Sequence, residues 1–578
     1  MERRVLLAIS LSFLVLFLYQ SFLLPPPPGD VPAPNAVPQV ETPGASPGAT
    51  TAAADGSAPL PPPAPVDVVV GEQEERNITV DSGLVRAVFT NRGGRLVSWV
   101  LKEYRTSAGE PLDLVPAGAP VLPFSLGARD EATTTQLNSA LYRVSGAADS
   151  TLVVGSSPAD LTFEVELSGG LRARKRFTFE PSSYLLRVSA SVDQGEKALN
   201  PALVWGPGLG DEIARMAPGN FFSPNYLYHA QAIFEREGSV ERIAATSMTP
   251  QTVYDGQFTF AGIDDHYFVA ATVTPGPMRL EYSPASLPPA TAADPGRYVT
   301  WSVTFPSAPD GVRFFIGPKQ FDVLRAVTPE FTRVIYFGMF AWLAAPLLGA
   351  LQWVNGFVGN YGWSIVILTI LINLAMWPLR HKSVVSMRKM QDLQPQMKTI
   401  QERYAQYKIT DPERQKMNQE VMELYRSKGV NPASGCVPML LTMPFLFAFY
   451  AMLSQAIEIR GADFLGWIDD LSAPDPLFIT PVLMGATMFW QQRMTPSTAD
   501  PTQQKVMMVM PFMFTFMSFN FPSGLVIYWM VSNLWGIGQQ YFTNYLIGPP
   551  KVHNVRPPAE RAAPRSGRAE NAQRQVKG

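Results

Sequence analysis

Apolar residues follow three different rhythms along this chain, and the changes of rhythm divide it. The first is an unbroken run from Val5 to Leu24, interrupted only by serines and one Tyr-Gln pair and preceded by Arg3 and Arg4. About 20 apolar residues suffice to cross a bilayer. The run passes straight into "PPPPGD" rather than a small-residue cleavage site, so residues 1–24 read as an uncleaved anchor with its basic end in the cytoplasm. The second rhythm is alternation. From Asp67 to Gly317, stretches such as "NITVDSGLVRAVFTNRGGRLVSWVLKEY", "RARKRFTFEPSSYLLRVSASV" and "RYVTWSVTFPSAPDGVRFFIG" alternate apolar and polar positions between clusters of Gly, Pro, Asn and Asp. That pattern predicts a large antiparallel β-sandwich over residues 67–320, with a hairpin turn at "TNRGGR".

The third rhythm is helical, and it dominates after Phe331. In "PLLGALQWVNGFVGNYGW", Leu347, Leu351, Val354 and Val358 share one face, with Gln352 and Asn355 away from it. This predicts an interfacial helix over 346–358 that ends at the Gly359-Asn360-Tyr361-Gly362 break. Five apolar spans follow within a core of 331–547, at 363–379, 436–457, 477–492, 506–520 and 525–547, the last two joined by "FPSG". With the anchor, the count is six. Residues 380–435 differ. There Met390, Leu393, Met397, Ile400 and Tyr404, and then Met417, Val421 and Leu424, form two facing stripes of a helical hairpin. Asp411 caps its second helix ahead of Pro412, and Gly429 with Pro432 ends it.

Charge sets the orientation. The hairpin segment from Arg380 to Gly435 has eleven Lys/Arg against six acids, and the tail at 548–578 has seven against two, whereas Glu458 to Pro476 has five acids and one Arg. Excess positive charge on the cytoplasmic side places both termini and the hairpin there and the β domain outside. The expected architecture is therefore a multi-domain membrane protein: an all-α, six-span membrane core with a cytoplasmic helical hairpin, plus the large antiparallel β-sandwich. A tether joins anchor to sandwich, since residues 25–66 hold fourteen prolines and no aromatic, Lys or Arg.

Composition then removes several kinds of chemistry. The formal net charge of −2 over 578 residues gives no basic face for nucleic acid, and the single cysteine, Cys436, permits neither an intramolecular disulfide nor a cysteine-based metal cluster. No Asp, Glu or His lies within a span, and no GxxxxGK occurs, so intramembrane proteolysis through those groups and nucleotide hydrolysis have no residues to work with. His266 beside Asp264 and Asp265 reads as a half-buried strand residue, and "GASPG" in the linker as a chance match to a nucleophile elbow. No catalytic residue, cofactor or metal ligand is expected.

The polar residues inside the spans are amides and hydroxyls. Asn373 lies ten residues beyond Trp363, about 15 Å at 1.5 Å per residue and so near the bilayer midplane, with Thr369 on the same face. Arg380 stands two turns further on, where a long side chain snorkels to the cytoplasmic headgroups. In the last span Asn533, Gln540 and Asn544 share a face, with Tyr528 and Trp529 near its outer end. Each amide alone is ordinary glue between helices; polar groups on two different spans are also able to line a wetted groove. Eighteen of the 23 methionines fall from Met376 onward, and soft thioethers suit either gap-filling or a face that accepts many apolar partners. A ligand sensor needs fewer spans than six, and a solute transporter ordinarily shows coupling charges and an inverted repeat.

Several long motifs in their order along the chain, "FVGNYGWSIVILTI", "MRKMQDLQPQMKTIQERY", "VNPASGCVPMLLTMPFLFAFYAML", "DPTQQKVMMVMPFMFTF" and "FPSGLVIYWMVSNLWGIGQQ", with "DDHYF" and "FFIGPKQFD" in the β region, resemble the YidC/Oxa/Alb family of membrane protein insertases in its Gram-negative form. The resemblance covers all but the Pro-rich linker and the tail. It implies a non-enzymatic insertase and chaperone of the inner membrane, with the β domain in the periplasm, working alone or beside the Sec translocon on nascent inner-membrane proteins. The eleven basic residues of the hairpin are either a solvated, topology-setting face or a contact for the ribosome or anionic lipid headgroups, which the basic tail would share. Mapped onto this chain, the resemblance puts Thr369 and Trp529 in a hydrophilic groove, and Met443, Pro444, Leu446 and Met517 on the substrate-contacting face. It also implies a basic groove residue five positions before Pro378, where this chain has Asn373. With Asn373, Arg380, Tyr528 and Asn533, the candidate groove is complete.

Overall fold

The computed structural model describes residues 68–106, 109–210, 230–248, 252–286, 297–404, 406–407, 412–429, 437–494 and 501–547. The expected anchor, linker and tail lie outside the described residues, as do Asp411, Pro432 and Cys436. By backbone contacts the described residues form two compact units, the second comprising 264–271 and the described residues from Ile316 on.

The β region holds three sheets. The largest runs through Val68–Val70, Ala159–Leu167, Leu171–Phe179, Leu185–Gln194, Val312–Pro318, Phe268–Thr272, Phe260–Asp264, Gln231–Arg236 and Ser239–Ile243. Its long strands pair antiparallel, Leu171–Phe179 lying between its two sequence neighbours. Two five-stranded sheets accompany it, and in one of them Asn77–Asp81 pairs with Thr151–Val153 in parallel, a departure from the all-antiparallel expectation. Alternation is the cause of the layering. Every second residue of Leu171–Phe179 is buried, and other rings meet that face: Phe89 of a smaller sheet lies 4.8 Å from Phe177, and Phe124, just ahead of the strand Ser125–Gly127, lies 5.3 Å from it.

One buried position in that strand is Lys175, with 0% of its surface exposed. Its ammonium donates to the carbonyls of Gly93 (2.6 Å), Gly94 (3.2 Å) and Phe124 (2.6 Å). The two glycines form the expected "TNRGGR" turn, which pairs Thr90 with Arg95. Both have positive φ, 72° and 56°, and a Cβ at Gly94 would stand 2.9 Å from the Phe163 ring, so the turn has no room for a side chain there.

Ten helices are described in all: α1 (Glu131–Ser139), α2 (Phe321–Val327), α3 (Ala341–Val358), α4 (Tyr361–Asp392), α5 (Gln394–Arg403), α6 (Pro412–Ser427), α7 (Val437–Gln455), α8 (Ile479–Met494), α9 (Pro501–Ser518) and α10 (Ser523–Ile547). Helix α3 begins earlier than expected, with Pro346 inside it. Leu347, Leu351 and Val354 are buried as the pattern requires, while Val358 is 37% exposed along with Trp342, Trp353 and Phe357. Gln352 is half-buried, and its amide donates to Glu458 at 2.9 Å.

Helix α4 also outruns its expected end at 379, continuing through Pro378 to Asp392. Charged residues after Leu379 change what surrounds a helix without interrupting its backbone hydrogen bonds, so the hairpin's first arm begins as an extension of the span. The hairpin packs around Met390, Leu393 and Tyr425, with Met397 and Val421 against them. Tyr425 rather than Leu424 fills the second stripe.

Among the described residues, Gly338–Val358 and Tyr361–Ser386 are long and apolar enough to cross a membrane, at mean hydropathies of 1.2 and 1.8. Met443–Gln455 and Met507–Ser518 are apolar but shorter. Helix α8 has only 16 residues, α9 opens on Gln503, Gln504 and Lys505, and four amides, Asn533, Gln539, Gln540 and Asn544, dilute the hydropathy of α10. The expected interfacial helix thus meets the composition of a span because it has no charged residue on any side.

The "DDHYF" segment turns between Phe260–Asp264 and Phe268–Thr272. Asp265 Oδ1 accepts from the amides of Tyr267 (2.9 Å) and Phe268 (2.6 Å), closing the turn. Asp264 pairs with Lys319 at 3.1 Å, both nearly fully buried. His266 is buried too, and burial, reinforced by the charge of Lys319, pushes its imidazole from the ordinary 6.5 down to about 3. A depressed histidine contributes stability that is complete above about 6.5 and is lost as the pH falls toward 3. Thermal stability of the full chain should therefore fall as pH drops below 6.5, and His266→Gln should flatten that slope; equal slopes in both proteins would remove His266 as its source.

Candidate functional site

Several of the polar residues expected inside the spans come together where α4 meets α10. Thr369, fully buried, donates its hydroxyl to the Ile365 carbonyl one turn back, at 2.6 Å. Asn373, 3% exposed, donates to the Thr369 carbonyl at 2.8 Å and to the Ser532 hydroxyl of α10 at 3.5 Å. The amide oxygen of Asn373 then accepts from Arg380 Nη1 at 2.7 Å. The guanidinium therefore turns back along α4 for two helical turns instead of reaching outward for headgroups. An unpaired amide oxygen in apolar surroundings costs several kcal/mol, and a cationic donor is the strongest partner available to it. Tyr528, 9% exposed, lies one helical turn before Ser532 and faces the same guanidinium. One connected set results: Thr369, Asn373, Arg380, Ser532 and Tyr528.

The remaining expected groove residues stand apart from that set. Asn533, one position past Ser532, turns to α8 and donates to Thr487 at 3.4 Å; Gln540 donates to Asn544 within α10 at 3.1 Å. The first contact glues two helices; the second stays within one. Trp529 lies edge-on to Phe514 of α9, ring centroids 5.4 Å apart, and Tyr528 stacks on Phe449 of α7 at 4.2 Å. Of the expected contact face, Met443 is 36% exposed and Pro444, Leu446 and Met517 are half-buried. An outer band of α9, Val509, Phe512, Met513 and Phe516, is more exposed than any of these.

Sequence reading overlooked Ser532, Thr487 and the approach of Thr543 to His381 at 3.5 Å. The signal for Ser532 was present, since it lies four residues after Tyr528 and so on its face. The Arg380 contact was harder to find. A seven-residue separation brings two positions to one face, but only the need to satisfy Asn373 decides which way a long cation lies. Among the described residues no group of three His, Cys, Asp or Glu is arranged to hold a metal ion.

Apolar helices folded about a paired polar cluster, following a β-rich region, define the class: a helical membrane protein with a β domain. The comparisons give the family. A profile described as "60Kd inner membrane protein" matches residues 353–549, and one described as "YidC periplasmic domain" matches residues 77–350. Two curated relatives named membrane protein insertase YidC, from Syntrophus aciditrophicus and Geobacter metallireducens, are each 36% identical; the first covers 94% of this chain and 99% of its own, the second 94% and 98%. A solved structure described as an active YidC insertase with its first transmembrane domain resolved covers 83% of this chain and 94% of its own, at 16% identity and a TM-score of 0.33. The chain belongs to the YidC family.

Asn373→Ala removes the acceptor of Arg380 and the donor to Ser532 together. Thermal unfolding in detergent should show a loss of about 1 kcal/mol, the usual worth of such bonds between membrane helices. An unchanged transition would mean that the set contributes nothing to helix packing.

Proposed function

We propose that this chain is a membrane protein insertase and chaperone that helps inner-membrane proteins insert, fold and assemble. A nascent apolar segment slides along Met443, Pro444, Leu446 and Met517 while its polar flank rests against Thr369, Asn373, Arg380, Tyr528, Trp529 and Asn533. The supporting observation is the guanidinium of Arg380 drawn back onto Asn373. A cation held inside the bundle lowers the cost of bringing a carboxylate into apolar surroundings, with no bond made or broken.

The topology that suits this work has six spans, residues 1–24 and the five core spans, with both termini and the hairpin at 380–435 in the cytoplasm. The tether at 25–66 and the domain at 67–320 are periplasmic. Nascent inner-membrane proteins are the clients, Sec components the partners, and the basic hairpin and tail the surface for ribosome or anionic headgroups. The excess of Lys and Arg in the hairpin and tail supports that orientation.

Photocrosslinkers at Met443 and Met517 during translation should capture nascent membrane proteins. Failure to capture any at either position overturns the insertase reading. Insertion kinetics test the cation separately. Arg380→Ala should slow clients with acidic translocated tails roughly fivefold more than neutral ones, as loss of about 1 kcal/mol of charge attraction dictates. Asn373→Arg in that background should restore part of the difference. Equal slowing of both client classes without rescue would leave Arg380 a purely structural partner of Asn373.

A further inference from the structure

Glu458 belongs to none of the polar set around Asn373. It lies on the 3₁₀ turn Ile457–Ile459 that follows α7. Its Oε1 accepts from two other elements at once, the Phe321 amide that opens α2 (3.1 Å) and Gln352 Nε2 of α3 (2.9 Å). Its Oε2 is buried and has no hydrogen-bond partner among the described residues.

A buried carboxylate with one bare oxygen is the costliest form this group takes. A proton on Oε2 removes the charge and leaves the lone pairs of Oε1 to the same two donors. The charged surroundings push the same way. Asp322 on α2 adds negative potential, Tyr361 at the start of α4 faces the group, and α3 carries no ionisable residue. Of the cations on adjoining elements, Lys319 pairs with Asp264 and Arg460 lies over the rings of Tyr267 and Phe268 at 5.1 and 5.3 Å, while Arg325 is exposed in the last turn of α2.

We propose that Glu458 is a protonated acid in the folded protein and acts as a pin released by proton loss. The neutral carboxyl fastens α2 and α3 to the turn after α7, and ionisation loosens all three. Burial holds the group above its ordinary 4.5. The folded state therefore binds the proton more tightly than the opened one, and the contribution, complete below 4.5, is lost as pH rises through the folded value. The His266 contribution has the opposite sign, being lost as pH falls below 6.5.

The test uses the full chain in nanodiscs. Hydrogen exchange over 321–358, corrected for intrinsic rates, should lose protection about tenfold per pH unit between 4.5 and the folded value, one proton leaving per opening. Glu458→Gln should abolish that slope and delete one protonated-carboxyl infrared band. A slope shared by both proteins, or no band lost, overturns the proposal. Should Glu458→Gln not fold, Asp322→Asn decides: removing the neighbouring charge should lower the midpoint of the infrared titration, and an unmoved midpoint counts against the pin. Which face of the membrane Glu458 samples rests on the topology proposed above. In sealed vesicles with pH changed on one side, a response from the face opposite the β domain would leave the acid assignment standing and overturn that topology.

Discussion

In apolar surroundings no water completes an unfinished hydrogen bond, and the helical half of this protein is arranged around that constraint. Asn373 puts one amide among apolar residues, and the chain answers with Thr369, Ser532 and Arg380. Each partner fixes something larger. The Thr369 carbonyl keeps the amide along its own helix, Ser532 ties α4 to α10, and Arg380 brings a full positive charge to a place where none would otherwise be stable. The same constraint explains why Glu458, with one oxygen satisfied and one bare, is the outlying group that invites a proton.

The β region meets the problem with different means. Lys175 enters a core of phenylalanines and is satisfied by three backbone carbonyls, two of them from the glycine turn that the strand pattern announces. A backbone that turns sharply exposes carbonyls on its inner side, and one ammonium gathers them. Asp264 and Lys319 repeat the idea as an ion pair. Buried charges here join segments far apart in sequence, where apolar side chains would pack without choosing a single register.

Much of this was legible in the chain itself, for reasons that particular residues make plain. Alternation in Leu171–Phe179 marks its buried face because a strand has no other way to present residues. The stripes at Met390, Leu393, Met397 and Val421 mark the hairpin for the same kind of reason. Thr369 and Asn373 were identifiable as a pair from their spacing. What could not be read was the direction of long side chains: Gln352 turned inward to a carboxylate 106 residues away in sequence, and Arg380 turned back instead of outward. Helix ends were equally opaque, since nothing after Leu379 breaks a helix even though the chemistry changes there.

That continuous helix has a mechanical consequence. Helix α4 has 32 residues, about 48 Å of nearly rigid rod, with Asn373 and Arg380 along its middle and Met390, a hairpin core residue, near its end. Pro378 withdraws one backbone donor between them, leaving the Leu374 carbonyl without its helical partner and making this the most compliant point on the rod. A load placed on the hairpin therefore becomes torque about Pro378, and the first parts to swing are the amide and the guanidinium that flank it.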